Sequence, residues 1–82
     1  MNKNARILVI DDERGAQKLI SSVLSRNGFE VVTADGGEQA LDLLKIDRAF
    51  DLVLLDYLMV GMNGVEVLKA IKNDPNTSRL KF

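Results

Sequence analysis

Cysteine, histidine and tryptophan are absent from the 82-residue sequence, and aromatic residues make up only 5% of it. Without cysteine the chain has no disulfide and no thiolate ligand, and without histidine it lacks imidazole ligands and the most common general base. Any metal site must therefore use oxygen ligands, which favours Mg2+ or Mn2+. The few aromatic residues, the net charge of −1 and the scattered basic residues argue against direct contact with nucleic acid.

Long apolar runs are also missing, since no stretch approaches the ~20 residues that a membrane-spanning helix needs. The N-terminal residues lead into a short apolar run that lacks the core of a signal peptide. We therefore expect a cytoplasmic location and no membrane contact. The length and the near-balanced charge predict one small globular domain over residues 1–82.

Three short apolar runs alternate with segments of helical periodicity. Residues 7–10, 29–34 and 52–55 are predicted as strands, and residues 14–26, 38–48 and 65–73 as helices. A fourth strand is predicted to begin at residues 80–82. The alternation predicts an α/β fold with a parallel sheet and right-handed crossovers. The first strand is the most uniformly apolar and is expected in the middle of the sheet, with the second at an edge.

Helical spacing also predicts which side chains of the helices face the sheet. In chain order they are Ala16, Leu19, Ile20, Val23 and Leu24, then Ala40, Leu41 and Leu44, then Val65, Leu68 and Ile71. Lys69 and Lys72 are interpreted as part of a solvated helix face.

Acidic residues follow the first and the third of these apolar runs. Asp11 and Asp12 follow the first run, and Asp56 follows the third. Ligands bind beyond the carboxyl ends of parallel strands, so the three carboxylates converge if the first and third strands are neighbours. A divalent cation would relieve their repulsion, and oxygen ligands alone favour Mg2+ or Mn2+. Glu13 either extends this cluster or only complements the dipole of the first helix.

Asp56 is the candidate nucleophile, because a carboxylate can accept a phosphoryl group and form an acyl phosphate. It stands alone at the end of its strand, before a loop that contains glycine. Asp11 and Asp12 are adjacent, which suits them to holding a metal. The alternative is that Asp56 only begins a turn or caps the next helix.

With these residues the sequence resembles the receiver domain of two-component response regulators. The matching motifs are Asp11-Asp12, the segment Asp35-Gly36-Gly37-Glu38-Gln39-Ala40-Leu41, and Asp56 followed at the family's spacing by Met59, Met62 and Gly64. The resemblance covers the whole chain. It implies a flavodoxin-like fold, which is a doubly wound parallel sheet with strand order 2-1-3-4-5.

The resemblance also implies the roles of the acids. Asp56 would be phosphorylated from the phosphohistidine of a sensor histidine kinase or a phosphotransfer protein. Asp12 and Asp56 would bind Mg2+ directly, Asp11 would bind it through water, and the backbone carbonyl of Leu58 would be the remaining protein ligand. A receiver of this kind promotes its own phosphorylation and is not a turnover enzyme.

The sequence departs from the family's pattern in two respects. Val60 stands where the family usually has proline, which removes a constraint on φ from the loop after Asp56. The sequence also stops after the third helix and the start of a fourth strand, so it reads as a truncated receiver. The Ser or Thr and the Lys that contact the phosphoryl group in the family have no counterpart here. We therefore expect impaired phosphorylation.

Two other functions compete with this one. The chain could be a non-catalytic interaction module that associates with itself through an incomplete sheet. In either case we expect a homodimer or a higher closed assembly, with residues 65–82 packed across the interface or exchanged between copies. An Asp-nucleophile hydrolase is the weaker alternative, because such enzymes usually carry a second acid at the position where Leu58 stands.

Overall fold

The computed structural model describes residues 5–56 and 63–82, in which strands and helices alternate as the sequence predicts. The elements are β1 (Arg6–Ile10), α1 (Arg14–Arg26), β2 (Glu30–Ala34), α2 (Gly37–Ile46), β3 (Leu52–Leu55) and α3 (Gly64–Asn73). The predicted bounds agree with these to within about two residues. The apolar runs are too short for helices and end at polar or glycine-containing turns, which is why they form strands.

The three strands form a parallel sheet in the order β2-β1-β3. This confirms the prediction that the first strand is central and the second lies at an edge. Leu8 and Ile10 in β1 are completely buried, as expected for a strand with neighbours on both sides and layers on both faces. Leu8 pairs with Val32 of β2 and with Val53 of β3.

One face of the sheet carries the main core, which α2 and α3 cover. Its buried members are Leu8, Ile10, Ala34, Ala40, Leu44, Phe50, Val53, Val67, Ile71 and Leu80. Successive residues of a strand point to opposite faces. Ile7 and Val9 are therefore directed to the other face, where they are buried and where α1 contacts β1 and β2.

The predicted apolar stripe of α1 is offset from the face that the helix buries. Leu19 and Val23 were predicted to face the sheet but are 66% and 47% exposed, whereas Gln17 is buried. At 3.6 residues per turn, the buried face is centred between Gln17 and Ile20. A similar correction applies to α3, where Val65 is 47% exposed and Val67 occupies the core instead.

The helix ends follow local sequence signals. Asn27 caps the carboxyl end of α1, and Gly28 follows with a φ of 88°, a conformation that glycine adopts without a steric penalty. At the start of α3, the side chain of Asn63 accepts a hydrogen bond from the Glu66 amide, and the Glu66 carboxylate accepts one from the Asn63 amide. Among the described residues, no helix is both long enough and apolar enough to cross a membrane.

The last residues return to the sheet beside β3. Residues 80–82 do not form the predicted strand, yet the Val53 amide donates a hydrogen bond of 2.7 Å to the Lys81 carbonyl. Lys72 fixes this segment, since its Nζ donates to the carbonyls of Ser78 and Leu80 and lies 5.3 Å from the Phe82 ring centroid. Lys72 is exposed, as predicted for a solvated helix face, and its tip also binds the carboxyl-terminal segment.

Arg6 connects several elements at the amino ends of the strands. Its guanidinium donates two parallel hydrogen bonds of 3.0 and 2.9 Å to the carboxylate of Asp47, and its Nε donates to Glu30. It also lies 4.7 Å from the centroid of the Phe50 ring. The bonds from Arg6 and from the Ala49 amide lower the pKa of Asp47, and the bonds to Asp47 and Glu30 raise the pKa of Arg6.

Candidate functional site

The register of β1 against β3 brings Asp11 and Asp56 together. Ile10 pairs with Leu55, and each strand is followed by its aspartate. The Asp56 amide donates to the Ile10 carbonyl over 3.0 Å, while the Asp11 amide donates to the Ala34 carbonyl over 3.1 Å. These bonds extend the parallel ladders one residue beyond the strands and hold both acids at the carboxyl edge of the sheet.

Asp12 joins this pair, so the three acids predicted from the sequence form one cluster. One carboxylate oxygen from each of Asp11, Asp12 and Asp56 lies within 4.8 Å of the other two. Asp11 is the least accessible, with 9% of its surface exposed. The Asp11 carboxylate also accepts a hydrogen bond of 2.9 Å from the Glu13 amide, which fixes its orientation.

The donor set of the cluster fits a hard divalent cation. Mg2+ binds oxygen at about 2.0–2.1 Å in an octahedron, so two ligands on opposite sides of the ion lie about 4.2 Å apart. A spread of up to 4.8 Å between the carboxylate oxygens is slightly larger than this. Two carboxylates can therefore bind one ion after a small side-chain shift, while the third contacts it through one of the waters that Mg2+ retains.

Leu58, whose backbone carbonyl is a predicted ligand, lies outside the described residues. Met59, Val60 and Met62 lie outside them as well. The carbonyl ligand at Leu58 and the effect of Val60 on the loop therefore stay predictions.

Glu13 caps α1 and is not a member of the acidic cluster. Its carboxylate oxygens accept hydrogen bonds of 2.8 and 2.7 Å from the amides of Gly15 and Ala16. This is N-capping geometry, in which a side chain satisfies amides that have no partner inside the helix. Of the two interpretations left open by the sequence, the structure supports the interaction with the helix terminus.

Gln17 and Asp35 are neighbours of the site that sequence reasoning missed. The Gln17 amide nitrogen lies 3.0 Å from the Asp11 carbonyl, 3.2 Å from the Ala34 carbonyl and 3.1 Å from a carboxylate oxygen of Asp35. One signal was available, because Gln17 is spaced three residues before Ile20 and therefore shares its face of the helix. A polar residue at such a position needs hydrogen-bond partners inside the fold.

An open pocket of about 350 Å3 lies beside the cluster. It is bounded by Asp11 and Asp56 on the acidic side and otherwise by Val9, Ile10, Ile20, Leu54 and Leu55. The acids are thus reachable from solvent through a concave surface that is mainly apolar. Such a surface combines a few convergent polar groups with apolar walls, which is typical of binding sites in α/β proteins.

Comparison with known proteins places these features in a family. The family model of the response regulator receiver domain matches residues 7–81. The transcriptional regulatory protein CpxR of Escherichia coli strain K12 is 46% identical over 77 residues, which are 94% of this chain and 31% of the relative. The chain therefore spans about a third of the length of this relative.

Solved structures agree with the predicted flavodoxin-like fold. The N-terminal domain of a response regulator receiver protein from Methanoculleus marisnigri has a TM-score of 0.83 and 42% identity, over 88% of this chain and 58% of that one. The response regulator TrrA from Thermotoga maritima, solved in complex with Mg2+-BeF, has a TM-score of 0.75 and 40% identity, over 83% and 58% respectively. The chain covers somewhat more than half of each structure.

Proposed function

Because the chain belongs to the family of response regulator receiver domains, we propose that Asp56 accepts a phosphoryl group from a histidine kinase or a phosphotransfer protein, in a reaction that depends on Mg2+ or Mn2+. The observation that carries this proposal is the convergence of Asp11, Asp12 and Asp56 at one edge of the sheet. The family match favours this function over a non-catalytic interaction module.

Asp56 supplies the nucleophile in this reaction. One of its carboxylate oxygens attacks phosphorus, and the new O–P bond forms as the N–P bond of the phosphohistidine donor breaks. The electron pair of that bond leaves with the imidazole, which then takes up a proton. The main-chain bond from Asp56 to Ile10 holds the nucleophile at the sheet edge, so that little reorganisation is needed when the donor arrives.

Asp11 and Asp12 would hold the cation together with Asp56. A bound Mg2+ or Mn2+ supplies positive charge that offsets the negative charge of the phosphoryl oxygens. The carboxylates provide oxygen ligands only, as such an ion requires. The structure of TrrA with Mg2+-BeF supports a site of this type in a relative at 40% identity.

The donor must be another molecule or another segment, since these 82 residues contain no histidine. The chain acts here as an acceptor and not as a turnover enzyme, because its own Asp56 is consumed in each transfer. The same proposal places it in the cytoplasm, where members of the family typically work. Self-association into a homodimer also belongs to the proposal, and its structural basis is the partly covered apolar surface at β3.

The proposal predicts where a small phosphodonor modifies the chain. Acetyl phosphate with Mg2+ should add one phosphoryl group at Asp56, and hydroxylamine should remove it, as expected of an acyl phosphate. The reaction of these 82 residues should be slow, because they offer no residue in the family's Lys role to stabilise the transferring oxygens. Intact-mass spectrometry and peptide mapping would measure both the extent and the position.

Two substitutions, one on each side of β3, provide the test and its control. Asp56→Asn should remove the modification, and Asp51→Asn, at the opposite end of the same strand, should leave it unchanged. A hydroxylamine-sensitive label that persists in Asp56→Asn would show that another residue is the acceptor.

A further inference from the structure

Gln17 is a buried amide near the amino end of α1, with only 8% of its surface exposed. We propose that Gln17 is a positioning residue that fixes the Asp11–Asp12 peptide group and thereby aims both carboxylates at the cation. This inference rests on the proposed function of the acidic cluster and adds a residue to it. Because the Gln17 amide nitrogen binds the Asp11 carbonyl, its effect on the carboxylates passes through the backbone.

The carbonyl of Asp11 belongs to the peptide group that joins Asp11 to Asp12. Its oxygen accepts a hydrogen bond of 3.0 Å from the Gln17 amide nitrogen. Because a peptide group is planar, fixing its carbonyl also fixes the direction of the Asp12 amide and the position of its Cα. The Asp11 amide is held separately, by its 3.1 Å bond to the Ala34 carbonyl. Gln17 thus adds a side-chain attachment at the carbonyl of Asp11, beyond the end of the strand.

The same amide nitrogen reaches the end of β2. It lies 3.2 Å from the Ala34 carbonyl and 3.1 Å from Oδ1 of Asp35, whose Oδ2 accepts a hydrogen bond of 3.3 Å from Arg14. The backbone amide of Asp35 donates to the side chain of Gln39. The ends of β1 and β2 are therefore tied to one donor on α1, and the donor cannot move without disturbing both strand ends.

All three neighbours of the Gln17 nitrogen are oxygen acceptors, so this position requires a hydrogen-bond donor. Methionine has a similar length and flexibility but no N–H, and it preserves most of the packing. In Gln17→Met the Asp11 carbonyl loses the hydrogen bond from Gln17, and the Asp11–Asp12 peptide group is held less firmly. Partners of this indirect kind typically contribute 10- to 100-fold to metal affinity, and we expect about tenfold here.

Mn2+ binding to the 82-residue chain tests the inference, because electron paramagnetic resonance measures the free ion directly. Gln17→Met should bind Mn2+ about tenfold more weakly than wild type. The Asp12 amide should also shift in the nitrogen–proton NMR spectrum of the metal-free protein, since its peptide group changes orientation. Gln17→Leu serves as a second variant if methionine prevents folding.

Thr77→Val is the matched control for a general loss of stability. Thr77 is 4% exposed, and its hydroxyl donates a buried hydrogen bond of 2.7 Å to the Ile71 carbonyl, on residues that take no part in the acidic cluster. Valine keeps its shape and removes the donor. Thr77→Val should therefore lose stability but keep wild-type affinity for Mn2+ and an unshifted Asp12 amide.

Wild-type affinity in a folded Gln17→Met or Gln17→Leu chain overturns the inference, and so does an equal loss of affinity in Thr77→Val. Asp12→Ala separates this failure from failure of the proposed function. If wild type and Asp12→Ala bind Mn2+ equally, the acidic site itself is wrong. If only Asp12→Ala weakens binding, the site stands and Gln17 has no positioning role.

Discussion

The carboxylates of Asp11, Asp12 and Asp56 lie close enough to repel one another. Two like unit charges 4.8 Å apart repel by about 1 kcal/mol in water, and by about 3 kcal/mol at the effective dielectric constant of 20 that applies near protein surfaces. The fold tolerates this cost because the main chain of each strand, fixed by its ladder, determines where the acids lie. The repulsion is released when a cation binds, and metal binding should therefore stabilise the folded chain.

The first prediction concerns Asp12 at this scale. At a Mg2+ concentration ten times the dissociation constant, the free energy of unfolding of wild type should rise by about 1.4 kcal/mol, provided that the unfolded chain does not bind the ion. Asp12→Ala should lose this gain, because one ligand and one negative charge are removed. Urea denaturation with and without Mg2+ measures the difference.

Asp42→Ala is the control for Asp12→Ala, since Asp42 lies on α2 with 75% of its side chain exposed and pairs with the exposed Lys45. It should keep the full gain from Mg2+. If Asp12→Ala is stabilised as much as wild type, Asp12 does not bind the ion.

The three acids could be predicted from the sequence, whereas Gln17, whose side chain binds the Asp11 carbonyl, could not. Asp11 and Asp56 could be predicted because each interrupts an apolar run, and parallel strands bring their carboxyl ends to one edge. Gln17 could not be predicted in the same way, because a glutamine on a helix is usually solvent-exposed. Its burial depends on how α1 is rotated against β1 and β2, which the sequence pattern indicated incorrectly.

The elements are held at the other end of the sheet by Arg6. It joins β1 to Glu30 on β2 and to Asp47 after α2, and its guanidinium stacks on Phe50. Asp47 is 41 residues from Arg6 in the chain and its side chain is 33% exposed. Paired hydrogen bonds between a guanidinium and a carboxylate have a fixed geometry, so this contact restrains the approach of the α2–β3 connection to the sheet.

The second prediction concerns the acid stability that this contact provides. The bonds to Asp47 lower its pKa below the ordinary value of 3.8, so the folded state favours the ionised form. The stability contributed by the pair is therefore complete above about pH 4 and is lost as the pH falls through the lowered pKa. Asp47→Asn should be less stable than wild type at pH 7, and the difference should shrink toward pH 3.

Urea midpoints at pH 7, 5 and 3 measure this convergence. Asp42→Asn should differ little from wild type at each pH, because its pair with Lys45 lies in solvent on both sides. A stability difference for Asp47→Asn that stays constant from pH 7 to pH 3 would contradict the assignment of the effect to the charge of Asp47.

Element order and sheet order could be predicted, whereas helix rotation and long-range ion pairs could not. The five apolar residues of α1 form a stripe that is wider than the face of the helix in contact with the sheet. Leu19 and Val23, at the margin of this stripe, are therefore exposed to solvent. In α3 the same ambiguity affected the prediction, because Val65 was expected in the core whereas Val67 is buried there. Periodicity identifies a helix reliably, but packing against a particular partner selects the side that is buried.

The molecule as a whole covers the two faces of its sheet unequally. On the α2–α3 face Val67 and Ile71 are completely buried within their own chain. On the other face, Leu54 pairs in register with the buried Val9, yet Leu54 is only partly buried and lines the open pocket beside Ile20. We therefore predict that a second copy covers this surface, since each 200 Å2 of apolar area buried would contribute about 5 kcal/mol.

The third prediction concerns the whole molecule, which we expect to form a homodimer at high concentration of the 82-residue chain. Light scattering at micromolar concentrations should give a mass that rises from monomer toward dimer. Leu54→Thr should weaken the association, because it removes apolar area from this surface. Ile46→Thr, at a site that is 85% exposed at the end of α2, should not. A constant monomer mass, or equal weakening by both variants, would exclude this arrangement.

The pairing of Ile10 with Leu55 has a consequence for how the chain assembles. If β3 slipped by one residue against β1, Asp56 would move by about 3.3 Å along the strand and the side chains of β3 would turn to the opposite face. The three carboxylates would then no longer meet around one ion. A cation held by this cluster would therefore stabilise only the native register, and the register of β3 against β1 should become more strongly favoured when the ion is added.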